Sequence, residues 1–90
     1  MPLVTELRVG DQIGEGRIVF LISYLDKQGH RVIMFVTILP DGVYEICRHD
    51  SSRTLYDIRV TLKLQKAIKF IMESIKEECK LTHKRWQKKN

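Results

Sequence analysis

Two pairs of residues in the sequence combine the side-chain types that bind zinc. Cys47 and His49 are separated by one residue. Cys79 and His83 are four positions apart, which is about one helical turn. Together the two pairs could hold Zn²⁺ tetrahedrally through two thiolates and two imidazoles. The spacing of the first pair is unusual for zinc, and Cys79 also fits an apolar helical pattern, in which a free cysteine packs as a small hydrophobe. We therefore predict packing for the cysteines, and no metal or other cofactor.

The segment HDSS at positions 49–52 contains the residue types of a hydrolytic triad. Neighbouring Asp and Ser residues in a polar loop form turns first, because their side chains bond the local backbone. A nucleophile also needs an oriented base and an oxyanion site, and no pattern indicates either. The glycine-rich segment GDQIGEG at 10–16 lacks the Gly-Lys-Ser/Thr ending of a phosphate loop and the order of a dinucleotide fingerprint. We predict that the protein is not an enzyme.

The basic C-terminal end, CKLTHKRWQKKN at 79–90, favours a binding function. It contains no acidic residue and the only tryptophan. Residues 1–60 hold seven Lys/Arg and eight Asp/Glu, a balance of −1, whereas residues 61–90 hold nine and three, a balance of +6. Positive charge concentrated at one end attracts anionic partners. We predict that nucleic-acid phosphates contact the basic residues and that the tryptophan stacks on a base; the predicted site is Lys80, Lys84, Arg85, Trp86, Lys88 and Lys89.

A solvated helix surface is the alternative explanation for part of this charge. One side of the predicted helix carries five lysines and two acids: Lys66, Lys69, Lys76, Lys80, Lys84, Glu73 and Glu77. Local pairs, Lys69 with Glu73 and Glu77 with Lys80, would account for the middle of the helix. They do not account for residues 80–90, which have no acidic neighbours. Nucleic acid therefore stays the predicted partner, and the sequence distinguishes neither DNA from RNA nor single from double strands.

The first two thirds of the chain are predicted to form strands. Five segments show the alternation or the β-branched and aromatic content of strands: 3–9, 17–25, 31–39, 43–48 and 54–60. Between them lie the loop 10–16 and turns with Gly29 and Gly42 at positions where positive φ is needed. Adjacent segments of this kind predict an antiparallel meander.

The hydrophobic period then changes from two to 3.6. Residues 62–86 predict one long helix with Thr61 as its N-cap, and lysines at its far end suit the helix dipole. Its apolar stripe is Leu64, Ile68, Ile71, Ile75, Cys79, Thr82 and Trp86, widened by Ala67 and Met72. Phe70 and Leu81 lie about 120° from the centre of this stripe, and indicate wider burial or a partner helix.

The predicted fold class is α+β: a curved antiparallel sheet of four or five strands followed by one long C-terminal helix on one face. Residues 1–90 form a single domain, with 80–90 as its basic helix end and tail.

Both faces of the strands 17–25 and 31–39 are apolar, and one helix covers only one face. The other face must curl into a barrel, receive a ligand or meet a second subunit. We predict a homodimer and take Met34 as a residue of the uncovered face.

The predicted helix is longer than the sheet that it packs on: it measures about 37 Å, whereas an eight-residue strand spans about 27 Å. Trp86 therefore lies in an overhang where it needs a partner.

The two cysteines and the absence of a signal-peptide pattern favour a cytoplasmic protein. Apolar runs of at most nine residues are too short to span a membrane.

A meander followed by a helix resembles, in element order, the Whirly-type single-strand-binding proteins, which act as oligomers. We expect a small non-catalytic nucleic-acid-binding protein, regulatory or accessory. The alternative is a protein–protein interaction module, an inhibitor or assembly adaptor, that docks through an apolar sheet face or helix edge.

Overall fold

The computed structural model describes residues 7–52 and 54–88, with the side chains of residues 56, 57 and 79–88 excepted. Strands and helix follow one another as β1 (Gln12–Ile13), β2 (Gly16–Leu25), β3 (Arg31–Ile38), β4 (Tyr44–His49), β5 (Thr54–Thr61) and α1 (Leu64–Lys88). The strands form one curled antiparallel sheet in the order β1-β2-β3-β4-β5. The predicted α+β meander with a C-terminal helix is confirmed.

Glycines at positive φ close the two central turns, as predicted. In the β2–β3 turn, Gly29 has φ 86° and its N–H donates to the carbonyl of Asp26 at 2.9 Å. The Asp26 carboxylate accepts from the backbone N–H groups of Gln28 and His30 at 2.9 and 2.8 Å. Gly42 has φ 85° in the β3–β4 turn. A side chain at either glycine would strain the turn, since L-residues rarely adopt this conformation.

The first 16 residues differ from the prediction. The predicted loop 10–16 contains a small hairpin, in which Gln12 pairs with Arg17 and Ile13 with Gly16. Of the predicted first strand, residues 1–6 lie outside the described residues, and residues 7–9 are not in a strand. The alternating pattern is misleading there, because a short alternation beside a Gly-rich turn fits an irregular segment equally well.

A β-bulge at Val19 changes which face the side chains of β2 occupy. Ile18 pairs with Thr37 and Phe20 with Val36, so one residue of β2 is inserted between consecutive pairs. Ile18 consequently packs, with Leu21, on the face away from the helix, whereas Phe20 and Ile22 pack on the helix side. Ile18 and Phe20 therefore do not share one face, as they would in a strand without a bulge.

Each face of the sheet has its own core. On the helix side, the buried residues are Val32, Met34, Val36, Ile46, Ala67 and Ile71. On the opposite side they are Ile18, Ile33, Phe35 and Cys47, with the half-buried Leu7, Ile13 and Leu21 packed against them. Met34 thus lies under the helix, and its assignment to the uncovered face is wrong.

The face away from the helix is closed within one chain. Phe35 is 1% exposed and Cys47 is fully buried. Curling of the sheet and the β1 hairpin, which brings Ile13 onto this face, account for that burial among the described residues. Burial of these central side chains therefore does not depend on a second subunit.

The helix begins two residues later than predicted. The carbonyl of Lys63 accepts from the N–H groups of Lys66 and Ala67 at 3.1 and 3.2 Å, which makes Lys63 the N-cap. Thr61 is still in β5, paired with Tyr44, and its hydroxyl accepts from the N–H of Lys63 at 3.3 Å. The prediction of Thr61 as N-cap is wrong, because the strand holds that residue in an extended conformation.

The buried side of α1 is also rotated relative to the predicted stripe. Ala67 and Ile71 are fully buried and Phe70, Ser74 and Glu78 are half-buried, whereas Met72 is 46% exposed. Phe70 packs against the helix-side core. The second apolar edge predicted at Phe70 therefore reflects wider burial against the sheet.

Candidate nucleic-acid interface

The main chain of α1 continues as one helix to Lys88. Predicted site residues Lys80, Lys84, Arg85, Trp86 and Lys88 therefore lie on helical main chain, with side chains outside the described residues, and Lys89 lies outside them entirely. Glu78 is the last position on α1 with a described contact to the sheet. The ten residues beyond it extend the helix by about 15 Å.

That last contact belongs to a polar cluster between the helix and the sheet. The guanidinium of Arg48 on β4 donates to the carboxylate of Asp50 and lies 3.5 Å, Nη2 to Oε1, from Glu78. Tyr24 on β2 reaches the same cluster. Burial, followed by interaction with Glu78, raises the pKa of the Tyr24 phenol to about 12. Burial opposes the charge of Arg48, but the hydrogen bond to Asp50 and the proximity of Tyr24 outweigh it and raise the pKa of Arg48. The cluster joins α1 to β4 through Glu78 and Arg48.

A cavity of about 350 Å³ opens beside this cluster. Its lining is Asp26, Lys27, Gln28, Arg48, Glu77 and Glu78. Three carboxylates face two cations here, so the cavity repels phosphate. It does not extend the predicted nucleic-acid site.

The lysine side of the helix is solvent-exposed as far as the side chains are described. Lys66, Lys69 and Lys76 are all exposed, as are Glu73 and Glu77. Among the ion pairs of the described side chains, none joins Lys69 to Glu73. The predicted ion pair between Lys69 and Glu73 is therefore missing. The ammonium groups of Lys66 and Lys69 can donate hydrogen bonds to solvent or to a ligand.

A second basic surface, not predicted from the sequence, lies between β5 and the start of α1. It is a cleft of about 430 Å³ lined by Ile46, Arg59, Val60, Thr61, Lys66, Lys69, Phe70 and Glu73. The Arg59 guanidinium carbon lies over the Phe70 ring, 5.2 Å from its centroid. Arg59 faces the helix because it pairs with Ile46 of β4. We call this surface the basic cleft.

Of the four residues of the zinc hypothesis, Cys79 and His83 lie on α1 with side chains outside the described residues. Cys47 lies in the core on the face away from α1, and its thiol donates to the Glu45 carboxylate at 3.3 Å. In the described part of the chain, no group of three or more His, Cys, Asp or Glu is arranged to hold a metal ion.

The HDSS segment is a turn. Asp50 accepts from both the N–H and the hydroxyl of Ser52, at 2.9 and 2.7 Å, and His49 Nδ1 bonds the Thr54 hydroxyl. The histidine thus faces a threonine of the next strand, and the serine hydroxyl is oriented by its own turn. This agrees with the predicted turn-forming role of these residues.

No protein-family model matches the chain, and neither a curated protein nor a solved structure matches it significantly. Within the described residues, no helix has the length and apolar character needed to cross a membrane. The two basic surfaces are therefore interpreted from their own geometry and charge.

Proposed function

We propose that the protein is a small, non-catalytic nucleic-acid-binding protein of the cytoplasm, acting as a regulatory or accessory factor. One observation carries the proposal: α1 continues without interruption for ten residues past Glu78, its last described contact with the sheet. Five of the chain's sixteen Lys/Arg residues lie between positions 80 and 89. A helical main chain with this charge presents cations to phosphates at a lower entropic cost than a disordered tail would.

The residue spacing on the extension suits a polyanion. Lys80, Lys84 and Lys88 recur every four residues, so they follow one ridge of the helix at intervals of about 6 Å. Trp86 supplies a flat apolar surface in the same segment, on which a base can stack. Phosphate contacts by the lysines and stacking by Trp86 together constitute the proposed binding mode.

Truncation after Cys79 tests the proposal. It removes the extension and keeps the Arg48–Glu78 contact that attaches α1 to the sheet. We expect the truncated protein to fold and to bind a labelled mixed-sequence oligonucleotide more weakly than the full-length chain in fluorescence anisotropy. Equal affinity of the truncated and full-length chains would refute a role for the extension. Circular dichroism of both proteins shows whether the fold is kept.

The alternative function, a protein–protein interaction module or homodimer, is favoured by a different observation. β5 is an edge strand among the described residues, and alternate positions at its end are apolar and exposed. Ile58 is 37% exposed, Val60 51% and the following Leu62 76%. An exposed apolar edge strand is a surface on which another strand can pair.

Sedimentation equilibrium distinguishes this alternative from a monomer. If the edge of β5 pairs with a second copy, Ile58→Lys should yield a folded monomer, since a charge on an edge strand opposes pairing. Met72→Lys, at an exposed position on α1, is the matched control and should leave the assembly unchanged. A wild-type chain that stays monomeric at micromolar concentration rules out the homodimer.

A further inference from the structure

We propose that the basic cleft binds a phosphodiester group of a single nucleic-acid strand, as a second contact separate from the C-terminal extension. This inference rests on the proposed function and adds a site to it. The cleft is formed by the last residues of β5 and the first three turns of α1. Its three cations and one acid, Arg59, Lys66, Lys69 and Glu73, give a local balance of +2.

Arg59 has the geometry of a phosphate ligand. One face of its guanidinium is held against the Phe70 ring, and Phe70 is itself packed on the helix-side core. Among the described residues, no hydrogen bond or ion pair occupies its N–H groups. A guanidinium restrained on an aromatic ring keeps its fork of donors for a planar or tetrahedral anion, and loses little side-chain entropy on binding.

The start of the helix supports an anionic ligand independently. The first turn of α1 contains no acidic residue, although acids are favourable at a helix N-terminus. Lys63 caps the helix and Lys66 follows in the first turn, so two cations lie at its positive end. These positions are unfavourable for helix stability, and an anion bound in the cleft relieves the repulsion.

The main chain of α1 joins the basic cleft to the C-terminal extension. Lys66 and Lys84 are 18 residues apart, which is five turns and about 27 Å. At about 3.4 Å per phosphate along one strand, roughly eight nucleotides cover this distance. Oligonucleotides shorter than this should bind at one contact only, while longer ones gain affinity from both.

The sharpest test uses two acidic positions. Glu73→Gln removes the acid in the cleft, and Glu15→Gln removes an exposed acid at the turn between β1 and β2, away from both proposed contacts. Both variants change the net charge by the same amount. We expect Glu73→Gln alone to tighten binding of a labelled oligothymidylate of about 12 nucleotides, by about threefold at low salt for a charge about 7 Å away in water. Since loss of folding does not strengthen binding, a gain is not explained by damage to the structure.

A charge-matched pair of double variants supplies the second measurement. Lys66→Gln with Lys69→Gln removes two cleft cations, and Lys27→Gln with Arg31→Gln removes two exposed cations at the β2–β3 hairpin. Two lost phosphate contacts should make the slope of log affinity against log salt concentration shallower by about 1.4. Between about 50 and about 200 mM salt, the fold-loss of affinity of the cleft variant should therefore be about seven times smaller than that of the wild type. The hairpin variant should keep the wild-type slope.

The outcomes separate the two proposals. If both cleft variants behave like their controls while truncation after Cys79 abolishes binding, the cleft proposal is wrong and the proposed function stands. If the wild type binds no oligonucleotide, the proposed function fails first. If inorganic phosphate at equal ionic strength shifts the Arg59 and Lys69 NMR signals as far as the oligonucleotide does, the cleft is a small-anion site and the nucleic-acid assignment is overturned.

Discussion

Gly16 lies so close to Thr37 that a Cβ on the glycine would be 2.9 Å from both the Cβ and the Oγ1 of Thr37. The contact joins the start of β2 to the end of β3, next to the pair Ile18–Thr37. Ile13, which pairs with Gly16, packs on the face of the sheet away from the helix.

We expect the glycines at positions 14 and 16 to respond differently to substitution. Gly16→Asn should cost about 1–3 kcal/mol in the free energy of unfolding, because the new side chain is forced against Thr37. Gly14 has φ 59°, and a Cβ added there would meet no atom within 4 Å. Gly14→Asn should be nearly neutral, since asparagine tolerates this conformation. Urea denaturation of both variants measures the difference, and equal costs would contradict the close-contact explanation.

The polar cluster at Arg48 and Glu78 predicts one late-titrating tyrosine. The Tyr24 pKa is raised to about 12 from 10.0, so its contribution to stability is complete below pH 10 and is lost as the pH rises toward 12. Ultraviolet difference spectra should show a phenol that ionises near pH 12. Tyr24→Phe should remove that step and the associated loss of stability, whereas Tyr44→Phe should remove neither. A Tyr24→Phe spectrum that retains the late step would assign it elsewhere.

The β2–β3 turn predicts a dependence on acid. Backbone hydrogen bonds from His30 and Gln28 lower the pKa of the Asp26 carboxyl below 3.8. Its contribution to stability is therefore present above pH 3.8 and is lost as the pH falls through the lower folded value. Asp26→Asn can accept the same hydrogen bonds without titrating, so its stability should fall less between about pH 5 and about pH 2. Parallel acid-unfolding curves for the two proteins would contradict this.

The C-terminal extension predicts two kinds of binding loss. Five phosphate contacts should weaken single-strand binding roughly a hundredfold between about 50 and about 200 mM salt. Lys84→Gln should reduce the salt slope by about 0.7. Trp86→Ala should cost about 1–3 kcal/mol of binding through lost stacking and leave the slope nearly unchanged. If Trp86→Ala lowers the melting temperature and leaves binding unchanged, the tryptophan packs against protein instead.

The spacing of hydrophobic residues and the residue types of the turns are enough to predict strands β2 to β5 and the helix α1. The hairpin 17–25/31–39, the strands near 43–48 and 54–60, and the long helix are confirmed within two residues of their predicted bounds, because each has a strong hydrophobic period and a glycine turn or an abrupt change of period at its end. The bulge at Val19 has no comparable signal. Its apolar neighbours suit either face of the sheet, so the pattern gives no reason to insert a residue.

The basic cleft depends on register, which a single sequence does not specify. Arg59 reaches Phe70 because it pairs with Ile46, and an irregularity between Ile46 and Arg48 sets that alignment. The burial of α1 is a similar case. An apolar stripe centred near Ile75 and one centred near Ile71 both fit the helical period, and packing on β4 and β5 selects the second. The side chains of the predicted extension lie outside the described residues, and their role stays a prediction.

Neighbouring strands of the sheet are also neighbours along the chain. Each pairing can therefore close through a short turn, without waiting for a distant segment to arrive. The docking of α1 on β3 and β4 bridges longer stretches of sequence. Because folding rates fall as the mean sequence separation of contacts rises, we expect this protein to fold quickly for a β-rich domain, with hairpins forming first and the helix docking onto a sheet already assembled.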